Sequence, residues 1–136
     1  MGLAERRAAK EFETKKFPAL KEAIDKAAGF AVAIEVAWDK LATPDNVHLY
    51  DEAWEKVYFQ PLAEAFAAIC IDDMGKDALK GALNKVIVTN INGTYNGENI
   101  ATFAGGVLTL DHEPFSNIGD VADRIKGITR TLESAL

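Results

Sequence analysis

The stretch Ala104-Gly105-Gly106-Val107 constrains this chain more than any other. A Gly-Gly pair between two short alternating runs is the signature of a two-residue β-hairpin, because such turns need positive φ at their centre and glycine adopts it without strain. The flanking runs are Asn99 to Ala104 and Val107 to Asp111. With the glycines at the tip, Phe103 falls opposite Leu108 and Ala101 opposite Leu110 on the face assigned to the core, and Thr102 pairs with Thr109 on the other. Lys85 to Asn90, "KVIVTN", predicts a third strand of this region. We read the three as an antiparallel meander.

Between the first two strands of that meander lies "NINGTYNGEN", Asn90 to Asn99, with two Asn-Gly pairs. Its glycines run into a strand and no lysine accompanies them, so it does not match a phosphate-binding loop. Counted as a calcium loop from Asn92, it places Phe103 where a glutamate is required. Asn92-Gly93-Thr94 is a glycosylation sequon, which has meaning only in a secreted chain. The reading left is a bend. We expect a loop over Ile91 to Glu98, with the second Asn-Gly near its tip and Tyr95 exposed.

Upstream, Leu3 to Ala28 has helical composition and spacing, with Phe12, Leu20, Ile24 and Ala27 on one side. Pro18 should kink that helix or open a second one. In Phe30 to Trp38, "FAVAIEVAW", heavy and small residues alternate, which predicts a strand with a heavy buried face. His48 to Ile71 predicts a helix that Pro61 restarts, and Lys76 to Leu83 a short further helix. Asn117 with Asp120 resembles a capping box ahead of a final helix whose stripe is Val121, Ile125, Ile128, Leu132 and Ala135. The expected fold class is α+β, in the order α-β-α-α-β-β-β-α. It has an antiparallel sheet of about four strands, with helices covering one face, in a single domain over residues 1–136.

Charge and composition narrow the chemistry. The net charge is −6. Residues 1–28 carry seven Lys/Arg against five Asp/Glu, whereas residues 39–77 carry nine acids against three lysines. An acidic middle argues against nucleic acid, whose phosphates are held by Lys and Arg. No apolar run reaches membrane-spanning length, and "MGLAERRAAK" is not a secretory signal, so a cytoplasmic protein is expected. The one cysteine, Cys70, leaves no internal disulfide and no Cys-x-x-Cys pair, and its acidic neighbours would raise its pKa. No cofactor is expected.

Two groups of residues have functional potential. Asp111, His112 and Glu113 lie where a strand enters a loop, and a histidine between acids suits a general base or a metal ligand. Neighbours on extended chain point to opposite faces, so the three cannot converge. A metal would need His48 and a carboxylate such as Asp51 or Glu52 as well. An ordinary turn is the simpler account of this trio. The other group is aromatic and acidic: Tyr50, Asp51, Trp54, Glu55 and Tyr58, with Phe59. Its simplest account is core. If one edge stays exposed, aromatic anchors ringed by acids form a binding surface for a basic partner.

The first expectation is therefore a non-catalytic protein-interaction module, of toxin-neutralising or adaptor type. The alternatives are a small hydrolase or metal-dependent enzyme centred on His112, and a small-ligand carrier. A monomer or a homodimer through a sheet edge is expected.

Overall fold

The computed structural model describes all 136 residues. Its elements in chain order are α1 (Leu3–Glu11), α2 (Phe17–Ala28), β1 (Ile34–Val36), α3 (Trp38–Leu41), α4 (Tyr50–Trp54), α5 (Gln60–Ile69), α6 (Asp73–Ala82), β2 (Lys85–Thr89), β3 (Ala101–Ala104), β4 (Val107–Asp111) and α7 (Val121–Ala135). None of the helices is long and apolar enough to cross a membrane.

Both helical prolines are accommodated in the same way. A π turn, Phe12–Lys16, joins α1 to α2, and a second, Glu55–Phe59, joins α4 to α5. In the first, the Phe17 N–H bonds to the Phe12 carbonyl, five residues back. In the second, the Gln60 N–H bonds to Glu55. The next donor in each register would be Pro18 or Pro61, which has none. Widening the turn moves the ring off the preceding carbonyls, so the helix continues past a residue that would otherwise break it. The expected kink and restart are thus one device, used twice.

The four strands lie in the order β1-β2-β4-β3. The β3–β4 hairpin has the expected register, with Phe103 opposite Leu108, Thr102 opposite Thr109 and Ala101 opposite Leu110. Gly105 and Gly106 take φ of 59° and 79° at its tip. The meander does not form. β2 pairs in parallel with β4, Val86 beside Leu108 and Val88 beside Leu110, and β1 pairs in parallel with β2. The sheet is therefore mixed, with one antiparallel pair, and the expected all-antiparallel sheet is corrected. The reason is loop length. Asn90–Ile100 is long enough to step over one strand position and set β3 down beyond β4. The apolar strands β2 and β4 then take the centre, where neighbours cover both their edges. The short β1 and β3, with Glu35, Thr102 and Ala104 exposed, take the rims.

Only Ile34–Val36 of the expected Phe30–Trp38 strand is ladder, since Trp38 already opens α3. The alternation still holds. Val32 is buried, and Phe30, Ile34, Val36 and Trp38 pack on the core, while Ala31, Ala33 and Glu35 face out. Helices α2, α5 and α7 cover this heavy face around Trp54, Phe59, Leu62 and Phe66. The pair Asp72-Asp73, just past the helix expected over His48 to Ile71, begins the next helix. Asp72 is the N-cap of α6 and accepts the Gly75 N–H at 2.8 Å, which favours the dipole. The capping box expected at the last helix is absent. Asn117 takes φ of 52°, and Asp120 makes no side-chain cap bond.

Helix α7 sits against the long loop through two glycines. A Cβ on Gly127 would lie 2.7 Å from the Gly97 carbonyl and 2.8 Å from that of Glu98, both rigid backbone. A Cβ on Gly97 would meet Arg124 Cγ at 2.8 Å. In contrast, a Cβ on Gly81, in the last turn of α6, meets nothing within 4 Å. We predict opposite outcomes for the same change in two helices. Gly81→Ala stabilises the fold by about 0.4–1 kcal/mol, chiefly by restricting the unfolded chain. Gly127→Ala destabilises it by about 1–3 kcal/mol, because overpacking outweighs that gain. Urea unfolding midpoints of the two variants decide this.

Candidate functional site

Strands β1, β2 and β4 run parallel, and the chain leaves all of them at one end of the sheet. In sheets of this kind the carboxyl ends of the strands are the usual place for a site. Here that end is filled. Continuing the β2–β4 register by one residue places Asn90 beside His112, and the His112 N–H donates to the Thr89 carbonyl at 3.2 Å. Both side chains extend the buried face of their strands. His112 is fully buried, with Tyr58 donating its hydroxyl to the His112 carbonyl.

The three residues weighed as a catalytic group, Asp111, His112 and Glu113, are each held by bonds of their own. Asp111 Oδ1 accepts the amides of Ile91 and Asn92, at 2.9 and 3.2 Å, and so ties the long loop to the strand exit. Glu113 Oε2 accepts the Phe115 N–H at 3.0 Å. His112 Nδ1 lies 2.6 Å from the Glu113 carbonyl. A carbonyl only accepts, so Nδ1 carries the proton and Nε2 is left as a bare acceptor. His112 Nε2, Trp54 Nε1 and Asn90 Oδ1 are buried with no hydrogen bond inside the protein. Each such group costs about 1–3 kcal/mol.

What organises this end is Arg124, which sequence reasoning did not single out. It is fully buried without an acidic partner. Its Nε donates to the Lys56 carbonyl at 3.2 Å, its Nη1 to the Asn117 carbonyl at 2.8 Å, and its Nη2 to the Ile118 carbonyl. Lys56 is the residue whose carbonyl, in the register of the second π turn, would await the missing N–H of Pro61. The only hint in the sequence is position. Arg124 stands one turn before Ile128 and Leu132 on the same stripe of α7.

Burial pulls the pKa of Arg124 below its usual value, with Asp120 the main opposing influence. Burial also holds His112 below the usual histidine value of 6.5, opposed first by its bond to Glu113, with the Arg124 charge adding to the lowering. A buried neutral histidine beside a buried cation resists protonation.

The aromatic residues expected on a binding surface are core. Tyr50, Trp54 and Tyr58 are buried, as is Phe59. Tyr50 stacks on Trp54 with ring centroids 4.3 Å apart and donates its hydroxyl to the Thr43 carbonyl. Trp54 packs edge-on to Phe12 at 5.1 Å and near Trp38 at 5.6 Å. Asp51 and Glu55 keep their carboxylates at the surface, but there they meet the chain's own basic segment. Lys16 donates to the Asp51 carbonyl at 3.1 Å and pairs with Glu55 at 3.7 Å. The acids at 51–55 are thus folded against the basic N-terminal segment, and Lys16 partly neutralises that face. His48 lines a cavity of about 450 Å³ there, with Glu11, Lys15, Lys16 and Asp51. No three His, Cys, Asp or Glu side chains converge as metal ligands anywhere. Cys70 is buried, lies 3.8 Å from the Ala28 carbonyl, and has its thiol pKa raised by burial.

A different surface has the character sought at residues 50–58. Ile71 is 83% exposed and Met74 is 81% exposed, the most exposed large apolar side chains of the chain. They line a groove of about 300 Å³ where α5, α6 and the last turn of α7 meet, together with Ala68, Ala78 and Leu136. Asp72 and Glu133 belong to the same lining. Asp73 and Asp77 are exposed one turn apart on α6, with Lys76 the only cation from 72 to 78. A second groove, of about 490 Å³, continues from it along α5 and α7, sharing Ala68 and Glu133.

Comparison with protein-family models, curated proteins and solved structures returns no match. The chemistry must be read from the residues themselves.

Two measurements test this reading of the buried end. The unfolded chain protonates His112 near pH 6.5, and the folded chain does so only at lower pH. Stability from this group is therefore fully present above about pH 6.5 and falls as pH drops towards the folded pKa. Replacing His112 with Gln flattens the stability profile in that window, above the range where carboxylates titrate. Arg124→Leu loses about 3–5 kcal/mol by stranding three carbonyls, and Arg124→Lys recovers little of it because a point cation cannot span the fork. Denaturant midpoints report both.

Proposed function

We propose that the protein is a non-catalytic interaction module that receives a basic, partly apolar helical segment of a partner protein. The observation that carries this reading is the exposure of Ile71 and Met74 at the head of a groove, inside a cluster of acids. Contiguous exposed apolar surface rimmed by charge is characteristic of interaction sites, because burying it elsewhere is favourable and the rim selects the partner. A helix laid in a groove buries one stripe and leaves its other faces to charge pairing. Here Asp72, Asp73, Asp77 and Glu133 favour lysine and arginine on that helix, and their field speeds encounter. A toxin-neutralising protein or an adaptor would use such a surface. The reading keeps the acidic interaction module expected from sequence and moves its surface from residues 50–58 to the junction of α5, α6 and α7.

The test is binding of a labelled amphipathic peptide with leucines on one face and lysines on the other, followed by fluorescence anisotropy. Ile71→Ser combined with Met74→Ser weakens binding by about tenfold or more, as loss of central apolar anchors does. Asp51→Asn with Glu55→Gln leaves it unchanged. Raised salt weakens binding by the wild type. Equal weakening by both pairs places the surface elsewhere, and no binding by the wild type removes the proposal.

A further inference from the structure

The two Asn-Gly pairs of the long loop stand four residues apart and in opposite environments. Asn92 and Gly93 are both exposed, and the Asn92 side chain makes no hydrogen bond. The Gly93 N–H has no acceptor within the protein, its φ is 63°, and the space around it is open to 4 Å. Asn96 is held. Its Oδ1 accepts the Glu98 N–H at 3.0 Å, and its carbonyl accepts the Asn99 N–H at 3.0 Å. Gly97 is buried, with Arg124 and Asp123 of α7 directly over it.

This contrast matters because Asn-Gly is the dipeptide most open to attack by its own backbone. The glycine nitrogen needs a free N–H and an unobstructed approach to the asparagine side chain, and the side chain must be free to turn. Asn92-Gly93 meets these conditions and Asn96-Gly97 does not. We infer that Asn92 is a site of spontaneous deamidation that releases the long loop from Asp111.

The reaction balances with water alone. The Gly93 nitrogen attacks Cγ of Asn92 and loses its proton, the bond from Cγ to the side-chain nitrogen breaks, and ammonia departs, leaving a succinimide. Water then opens the ring. Cleavage at Cγ gives aspartate at position 92, and cleavage at the backbone carbonyl gives isoaspartate, with the chain rerouted through the side chain. The sum is amide plus water to carboxylic acid plus ammonia, with no oxidant or second substrate.

The product conflicts with the anchor. The amides of Ile91 and Asn92 are the two donors to Asp111 Oδ1. A carboxylate at position 92 repels Asp111, and the isoaspartate link also inserts a methylene between those donors and the rest of the loop. The remaining ties, Glu113 N–H to the Thr94 carbonyl at 2.6 Å and Asn117 Nδ2 to the Tyr95 carbonyl at 2.9 Å, lie further along. The loosening is therefore confined to the start of the loop.

Incubation of the folded protein in mildly alkaline buffer, followed by peptide mass spectrometry with fragment-ion assignment, tests the site. Deamidation at Asn92 runs about tenfold or more ahead of Asn96 in the folded chain, a difference in barrier above about 1.4 kcal/mol. The two rates converge in urea, and Asn92→Gln abolishes the faster one. Equal rates in the folded protein, or faster reaction at Asn96, overturn the assignment. Hydrogen exchange on Asn92→Asp tests the consequence: the Ile91 and residue-92 amides exchange faster while β2 and β4 stay protected, and unchanged exchange at those two amides overturns it.

Discussion

The guanidinium of Arg124 holds together parts of the chain that no strand or helix connects. Its three donors reach carbonyls of the second π turn and of the segment before α7. This is a satisfied charge without a counter-ion. The carbonyl dipoles take the place of solvent, and the planar fork reaches separated acceptors from three different nitrogens, a spread the single nitrogen of a lysine lacks. Pro61 is part of the same arrangement. Its missing N–H leaves the Lys56 carbonyl without a helical partner, and Arg124 takes it. The first π turn has the same geometry before Pro18, but Glu13 there is only half-buried, so solvent can serve its carbonyl. One sequence device thus has two outcomes, decided by what packs against it.

The long loop depends on that arrangement and supports it in turn. Its first half is fastened by the Asp111 carboxylate, and its second half by the close approach of Gly97 to Gly127 and by Glu98, which pairs with Lys126 at 3.1 Å. The two Asn-Gly pairs look alike in sequence and serve different needs. Gly93 supplies a positive φ, whereas Gly97 supplies room for a helix. The loop crosses the exit of β4, so β4 lies inside the sheet although it is the last strand in the chain.

Charge shows the same separation of sequence from surface. The acidic residues 51–55 lie against Lys16, so the strongest run of acids next to aromatics is partly neutralised within the chain. The acids from 72 to 77 have one lysine among them and an apolar groove beside them. That is the combination on which the proposed docking role rests, whereas the aromatic side chains Tyr50, Trp54, Tyr58 and Phe59 are core. Aromatic residues bury more area than any others, so a dense group of them is drawn into the core first.

Local features were legible where local physics decides them. Gly105-Gly106 specified the hairpin and its register, because only one two-residue turn fits the alternation on both sides. The stripes of the earlier helices, the heavy face of Phe30 to Trp38, and Pro18 and Pro61 as irregular points followed from periodicity and from the missing N–H, whereas of the stripe expected on α7 only Ile128 and Leu132 are buried and Ala135 is exposed. The order of strands did not follow, since an eleven-residue connection from Asn90 to Ile100 allows β3 to lie on either side of β4 at little difference in loop entropy. Packing made that choice, placing the two apolar strands in the middle. Nor could sequence reveal Arg124, whose role depends on carbonyls contributed from 68 and 7 positions away. The sequence by itself determined most of the segments that become helix, strand and turn. The tertiary structure alone decided which polar groups are buried together and which apolar ones are left outside, because those outcomes depend on neighbours that meet only once the chain has folded.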